Sequence, residues 1–173
     1  MELVTLLDES GAAIGTASKE EVHTGSTPLH LAFSCYVLDD RGRLLVTRRA
    51  LSKRTWPGVW TNSFCGHPRP GEDMIAAVVR RGTEEIGASP RDVRVALPAF
   101  RYRAVDASGI VEHEICPVHV ARVDGDIVPD PSEVMEHAWV LPTRLATAAD
   151  GAPFAFSPWL REQLPLLLSE GRI

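Results

Sequence analysis

The sequence predicts an α/β (α+β) fold in which a mixed β-sheet is sandwiched by helices. Three observations carry that expectation. Short runs rich in Val, Leu and Ile recur between turns marked by Asp and Gly. The segment "PGEDMIAAVVRRGTEEIG" places apolar residues at helical spacing, and "SPWLREQLPLLLSE" opens with a Ser-Pro helix start.

In chain order, "LVTLLDESGAAIGTASK" reads as a hairpin turning at Asp8 to Gly11, followed by a polar loop, "EEVHTGSTPLH", with two histidines. "LAFSCYVLDDRGRLLVTRR" reads as a second hairpin around Asp39 to Gly42. In the helical segment, Ile75, Val78, Val79, Gly82 and Ile86 fall at helical spacing and Gly87 marks the stop. Arg80, Arg81, Glu84 and Glu85 lie on or beside its polar side. Strands are expected at residues 93–104 and 110–123, joined by "VDASG", with a shorter one at 137–141. The later helix has Ser157 as N-cap and Pro158 at its first position, and Pro165 predicts a kink.

The bulk numbers exclude more than they identify. The 173 residues are 45% hydrophobic and 24% charged, which suits one globular domain spanning residues 1–173 and argues against disorder. Cys35, Cys65 and Cys116 leave one thiol unpaired in any intramolecular scheme, so a reducing, cytoplasmic setting is expected. No apolar run approaches the roughly 20 residues that cross a bilayer, and no membrane partner is expected. A net charge of -5 argues against a nucleic-acid partner. Between Arg41 and Arg54, however, six basic residues and no acidic one form a patch suited to a small anion such as a phosphate ester. A monomer acting on a small molecule is the expectation.

Glu112 and Glu114 fall two apart in a predicted strand, so both carboxylates leave one face and His113 the other. Their neighbours are apolar, and unpaired carboxylates in a buried strand are costly, which calls for a cation. His23, His30 and His67 are the remaining candidates. Three imidazoles and two carboxylates would make a five-ligand site suited to Mn²⁺, Mg²⁺ or Zn²⁺. Cys35 and Cys116 read as core residues.

Gly66, Glu72, Arg80, Glu84, Glu85 and Gly87 match most of the Nudix box, with Arg81 where the box has a glutamate. That exchange reverses local charge and offers a fork to a phosphate in place of a metal ligand. The stretches "HTGSTPLHLAFS", "LLVTRRALSKRTWPGVWTNSFCGHP", "RRGTEEIG", "FRYRA", "IVEHEICPV" and "FSPW" extend the likeness over most of residues 19 to 160. Together they resemble the type I isopentenyl-diphosphate isomerases, built on the Nudix fold.

The resemblance implies a metal-dependent isomerase that interconverts isopentenyl and dimethylallyl diphosphate in isoprenoid biosynthesis. It implies that His23, His30, His67, Glu112 and Glu114 hold a divalent metal, Mn²⁺, Mg²⁺ or Zn²⁺. Glu85 would help hold Mg²⁺ on the substrate diphosphate, with Lys19, Arg49, Lys53 and Arg81 on its oxygens. Cys65 and Glu114 would be the catalytic pair, assisted by Tyr102, with Trp159 over the hydrocarbon. The spacing in "NSFCGHP" lets one extended segment aim Cys65 at substrate and His67 at the metal, with Gly66 permitting close approach to the substrate or its ions. The alternative is a Nudix hydrolase acting on a nucleoside or prenyl diphosphate.

Overall fold

A computed structural model describes residues 2–173. The strands are β1 (Leu3–Leu7), β2 (Ala13–Ser18), β3 (His30–Leu31), β4 (Phe33–Val37), β5 (Leu44–Arg49), β6 (Trp60–Thr61), β7 (Phe64–Gly66), β8 (Pro90–Leu97), β9 (Arg101–Val105), β10 (Val111–Ile115), β11 (Val118–Val123) and β12 (Val134–Val140). The helices are α1 (Lys19–Val22), α2 (Met74–Ile86), α3 (Pro142–Gly151) and α4 (Pro158–Ser169). They form three sheets, ordered β2-β1-β3-β10-β9, β7-β4-β11-β8 and β12-β5-β6.

Two long segments cross from the first sheet into the second side by side. β3 lies parallel to β10 and β4 lies parallel to β11. Ala32 N to Ile115 O and Ser34 N to Pro117 O, at 3.0 and 3.2 Å, carry the pairing across the break. Side chains of β4 then alternate. Phe33, Cys35 and Val37 pack with Ala77, Val78 and Ile86 of α2, whereas Tyr36 packs with Leu160, Leu164 and Leu167 of α4. The helices thus cover opposite faces of the second sheet, as expected for the α+β class, and Cys35 and Cys116 are buried in the core.

Four sequence expectations need correction. The turn at Asp39 forms, its carboxylate accepting from Arg41 N and Arg43 N, but its arms diverge: β4 pairs with β7 and β11, and β5 with β6 and β12. The strands expected at 93–104 and 110–123 are each broken, into β8 and β9 and into β10 and β11. Pro98 and Pro117 stand at the breaks, where a missing N–H cannot continue a ladder. The loop expected before His30 contains the one-turn α1, and α3 was not foreseen. The helix expected from Ser157 onward forms as α4, with Pro165 inside it.

Asp73 caps α2 by accepting from Ala76 N at 3.0 Å, and Gly87 ends it in the left-handed conformation at φ +68°. Val128 N and Asp130 N then donate to the carbonyls of Ile86 and Glu85, both at 3.1 Å. A Cβ on Gly87 would collide with the Val128 carbonyl. Gly87→Ala combines that collision with the left-handed penalty, so it is expected to cost roughly 2 kcal/mol or more. Urea unfolding checks this, and a midpoint equal to that of the unchanged protein would refute it.

Candidate active site

Strand register brings the first two ligand candidates together. In the parallel β3–β10 pair His30 stands opposite Glu114, and in the antiparallel β9–β10 pair Tyr102 does so from the other side. β7 lies against β4 with Gly66 opposite Phe33, which delivers His67 from the end of β7, and His23 caps the end of α1. One ligand atom from each of His23, His30, His67 and Glu114 lies within 4.8 Å of the others.

The chemistry of this group fits a bound cation. His30 Nδ1 donates to Pro28 O at 2.9 Å, which turns Nε2 toward the cluster. His30 Nε2 and His67 Nε2 stand 3.5 and 3.4 Å from Glu114 Oε1, yet both are buried without a hydrogen-bond partner. Burial, and then the neighbouring imidazoles, hold His23 at about 4, which keeps it in the neutral ligand form. Burial alone would raise Glu114, but His30 and His67 outweigh it and hold the carboxyl well below its usual range.

Glu112 lies outside this group of four. Its oxygens accept from Tyr102 Oη at 2.6 Å and from Thr55 Oγ1 at 2.7 Å. Burial, followed by the charge of Glu114, pushes its carboxyl up.

Both glutamates open onto a cavity of about 530 Å³. Cys65, His23, His67, Tyr102 and Trp159 line it, as do Lys19, Arg49, Lys53, Arg81 and Glu85, while His30 lies beneath, fully buried. The cations already have partners. Arg81 donates to Glu84 at 2.9 Å, Glu85 at 2.8 Å and Glu133 at 3.1 Å, and its buried Nε has none. Lys53 pairs with Glu133, and Lys19 with Glu2. Arg49 donates to the carbonyls of Thr55 and Trp56, its guanidinium 5.5 Å from the centre of the Trp159 ring. Gly66 also lines the cavity, and a Cβ there would meet Arg81 Cγ at 2.7 Å. Its bare backbone lets the Arg81 stem lie against β7.

Arg80 fixes the loop after His67. It grips both oxygens of Glu72 at 2.8 Å and donates to His67 O at 3.2 Å.

Sequence reasoning missed the residue that holds Cys65. Asn62 Oδ1 accepts from Trp159 Nε1 at 2.9 Å, Thr61 Oγ1 at 2.9 Å and Cys65 Sγ at 3.3 Å, and its amide donates to Cys35 O and Phe64 O. Ser34 Oγ also lies 3.4 Å from the sulfur and is itself held by Gln163. Burial pushes the Cys65 thiol up to about 12 despite these contacts, so at neutral pH it carries its proton. Thr55, Glu133 and Glu2 were missed as well. Nothing in the sequence marks them for the site.

Residues 28–163 match the family model described as NUDIX domain. The isopentenyl-diphosphate Delta-isomerase of Agromyces mediolanus is 64% identical over 166 residues, covering 96% of this chain and 81% of that protein. The enzyme of the same name from Paenarthrobacter aurescens is 56% identical, covering 96% and 91%. Among solved structures, a Deinococcus radiodurans protein superposes with a TM-score of 0.73 at 19% identity, over 95% of this chain and 98% of that one. The MutT protein of Methanosarcina mazei does so at 0.65 and 20%, over 84% and 97%. At these identities both describe the fold.

Asn62→Ala would strand the buried Trp159 N–H and two buried carbonyls, each loss costing about 1 to 3 kcal/mol. It is expected to destabilise the protein by roughly 3 kcal/mol or more in urea unfolding. A change below about 1 kcal/mol would mean that Asn62 holds neither Cys65 nor Trp159 in place.

Proposed function

We infer the chemistry from one premise: the chain belongs to the Nudix family and, within it, to the isopentenyl-diphosphate Delta-isomerases. It is an isomerase that interconverts isopentenyl diphosphate and dimethylallyl diphosphate. The observation that supports the assignment of residues is that one cavity joins a protonated thiol, a carboxylate ringed by imidazoles and a cationic end.

Moving the double bond adds a proton at one terminal carbon and removes one from another, through a tertiary carbocation. Acid and base must therefore face each other across the substrate. We assign these roles to Cys65 on β7 and Glu114 on β10, two walls of the same cavity. Microscopic reversibility exchanges their roles when the reaction runs backwards. His23, His30, His67 and Glu114, with Glu112 as a fifth ligand, would hold Mn²⁺, Mg²⁺ or Zn²⁺, which when bound polarises the Glu114 carboxyl. Tyr102 assists by holding Glu112 in place.

Trp159 supplies the wall for the cation. Its indole, packed against Trp56 and Tyr102, offers a π-face worth ~2 kcal/mol or more to a desolvated positive charge. The Asn62 bond fixes its tilt. Lys19, Arg49, Lys53 and Arg81 would contact the diphosphate, with Glu85 holding its Mg²⁺. Holding the diphosphate there would fix the reacting carbons between Cys65 and Glu114. Hydrolysis is not favoured, because Arg81 stands where a hydrolytic cluster needs a carboxylate and the relatives bear the isomerase name.

The test is incubation with isopentenyl diphosphate and Mg²⁺ in D₂O, followed by NMR. Deuterated dimethylallyl diphosphate is the expected product; released phosphate would indicate a hydrolase, and unchanged substrate would sink the enzyme reading. In the same assay Cys65→Ala should lower kcat by roughly 10² to 10⁴ while substrate still binds. Near-normal kcat would remove Cys65 from the mechanism. For the metal, elemental analysis of His67→Ala should show loss of the ion with the circular dichroism spectrum retained, and a fully loaded variant would exclude His67 as a ligand.

A further inference from the structure

Glu133 is absent from the sequence-based set, yet it binds two of the four cations assigned to the diphosphate. It sits just before β12, on a turn fastened to the loop after β5: Ala50 N donates to Glu133 O at 2.9 Å, and Ser52 Oγ to Ser132 O at 3.2 Å. One oxygen takes Lys53 from that loop, and the other takes Arg81 from α2 at 3.1 Å. The carboxylate therefore spans the cationic end of the cavity, linking two elements that share no strand pairing.

Its charge is permanent near neutral pH. Burial would raise the carboxyl, but Lys53 and Arg81 outweigh burial and hold it at about 2. Together with Glu84 and Glu85 it makes three carboxylates around Arg81. Glu84 is the most exposed of them, with 43% of its side chain open to solvent against 22% for Glu133 and 8% for Glu85, so its charge is the best screened. An incoming diphosphate meets cations whose charge is already answered by carboxylates, Glu85 buried and Glu133 half-buried.

We propose that Glu133 is a positioning residue that holds Lys53 and Arg81 as the seat of the diphosphate and, as a fixed anion within that seat, makes the diphosphate enter only together with a divalent cation. The proposal rests on the reading of Lys53 and Arg81 as diphosphate contacts. Without the added cation, diphosphate must strip both side chains from Glu133 and then face its charge. With the cation, the carboxylates keep a positive neighbour while the two side chains turn to phosphate oxygens.

Inorganic pyrophosphate is the probe, titrated calorimetrically into the full chain stripped with EDTA, with and without Mg²⁺. Glu133→Gln is expected to bind pyrophosphate at least tenfold more tightly than the unchanged protein when Mg²⁺ is absent, and within threefold of it when Mg²⁺ is present. Glu84→Gln, which removes the better-screened partner of Arg81, should change metal-free affinity less than threefold. The proposal is overturned by a Glu133→Gln protein that binds no more tightly without Mg²⁺, by an equal gain in Glu84→Gln, or by a tenfold loss of Mg²⁺-dependent binding, which would make Glu133 a metal ligand. If Glu133→Gln does not fold, the unchanged protein still decides, since pyrophosphate binding as tight without Mg²⁺ as with it also overturns the proposal. Isomerase turnover on the same samples separates the two readings. Normal turnover with unaltered pyrophosphate binding removes the role of Glu133 alone, whereas pyrophosphate that binds neither protein even with Mg²⁺ removes the seat as well.

Discussion

The site is organised by the need to bury two carboxylates, two residues apart, on one face of β10. Neither Glu112 nor Glu114 is tolerable there uncompensated, and each is answered differently. Glu112 receives two hydroxyls, from Tyr102 and Thr55, while Glu114 receives imidazole edges from three other elements. These unequal surroundings push the two acids in opposite directions, Glu112 up and Glu114 down. The parallel pairing of β3 with β10 is what makes this possible, since it sets His30 opposite Glu114 by register alone.

The far end of the cavity meets a second demand by the same means. α2 is amphipathic, yet its polar side is partly buried: Arg81 and Glu85 are both hidden and joined at 2.8 Å. Gly66 makes room for the arginine stem on one side, and Glu133 reaches its guanidinium from the other. The cavity therefore runs from a group of imidazoles and a carboxylate that could hold a metal to an end where lysine and arginine are paired with carboxylates.

Much of this was legible in the residues. The alternation around His113 correctly put both glutamates on the cavity face, and the spacing of Ile75, Val78, Val79 and Ile86 located α2 within a residue or two at its ends. What escaped were features set by tertiary pairing. Asp39 to Gly42 turns the chain as its composition suggests, but whether the two arms pair with each other or with distant strands depends on β11 and β12, far along the chain. Pro98 and Pro117 did mark the broken strands, and reading them as interruptions would have found the change of sheet. Asn62, Thr55 and Glu133 carried no signal, because a polar residue becomes a partner only through what the fold sets beside it.

Three buried bonds tie the neighbourhood of the thiol to a part of the chain made much later. Ser34 joins Gln163, Thr61 joins Ser157 and Asn62 joins Trp159, across sequence separations of 129, 96 and 97 residues. During synthesis, β4, β6 and β7 leave the ribosome long before α4 can supply these partners. Until it does, Cys65 and the indole wall lack their fixed positions, and contacts of such separation are among the last that folding rewards. The surroundings of Cys65 should thus be completed in one late step, leaving no half-folded stage at which the thiol already stands in its hydrogen-bonded frame with Asn62 and Trp159.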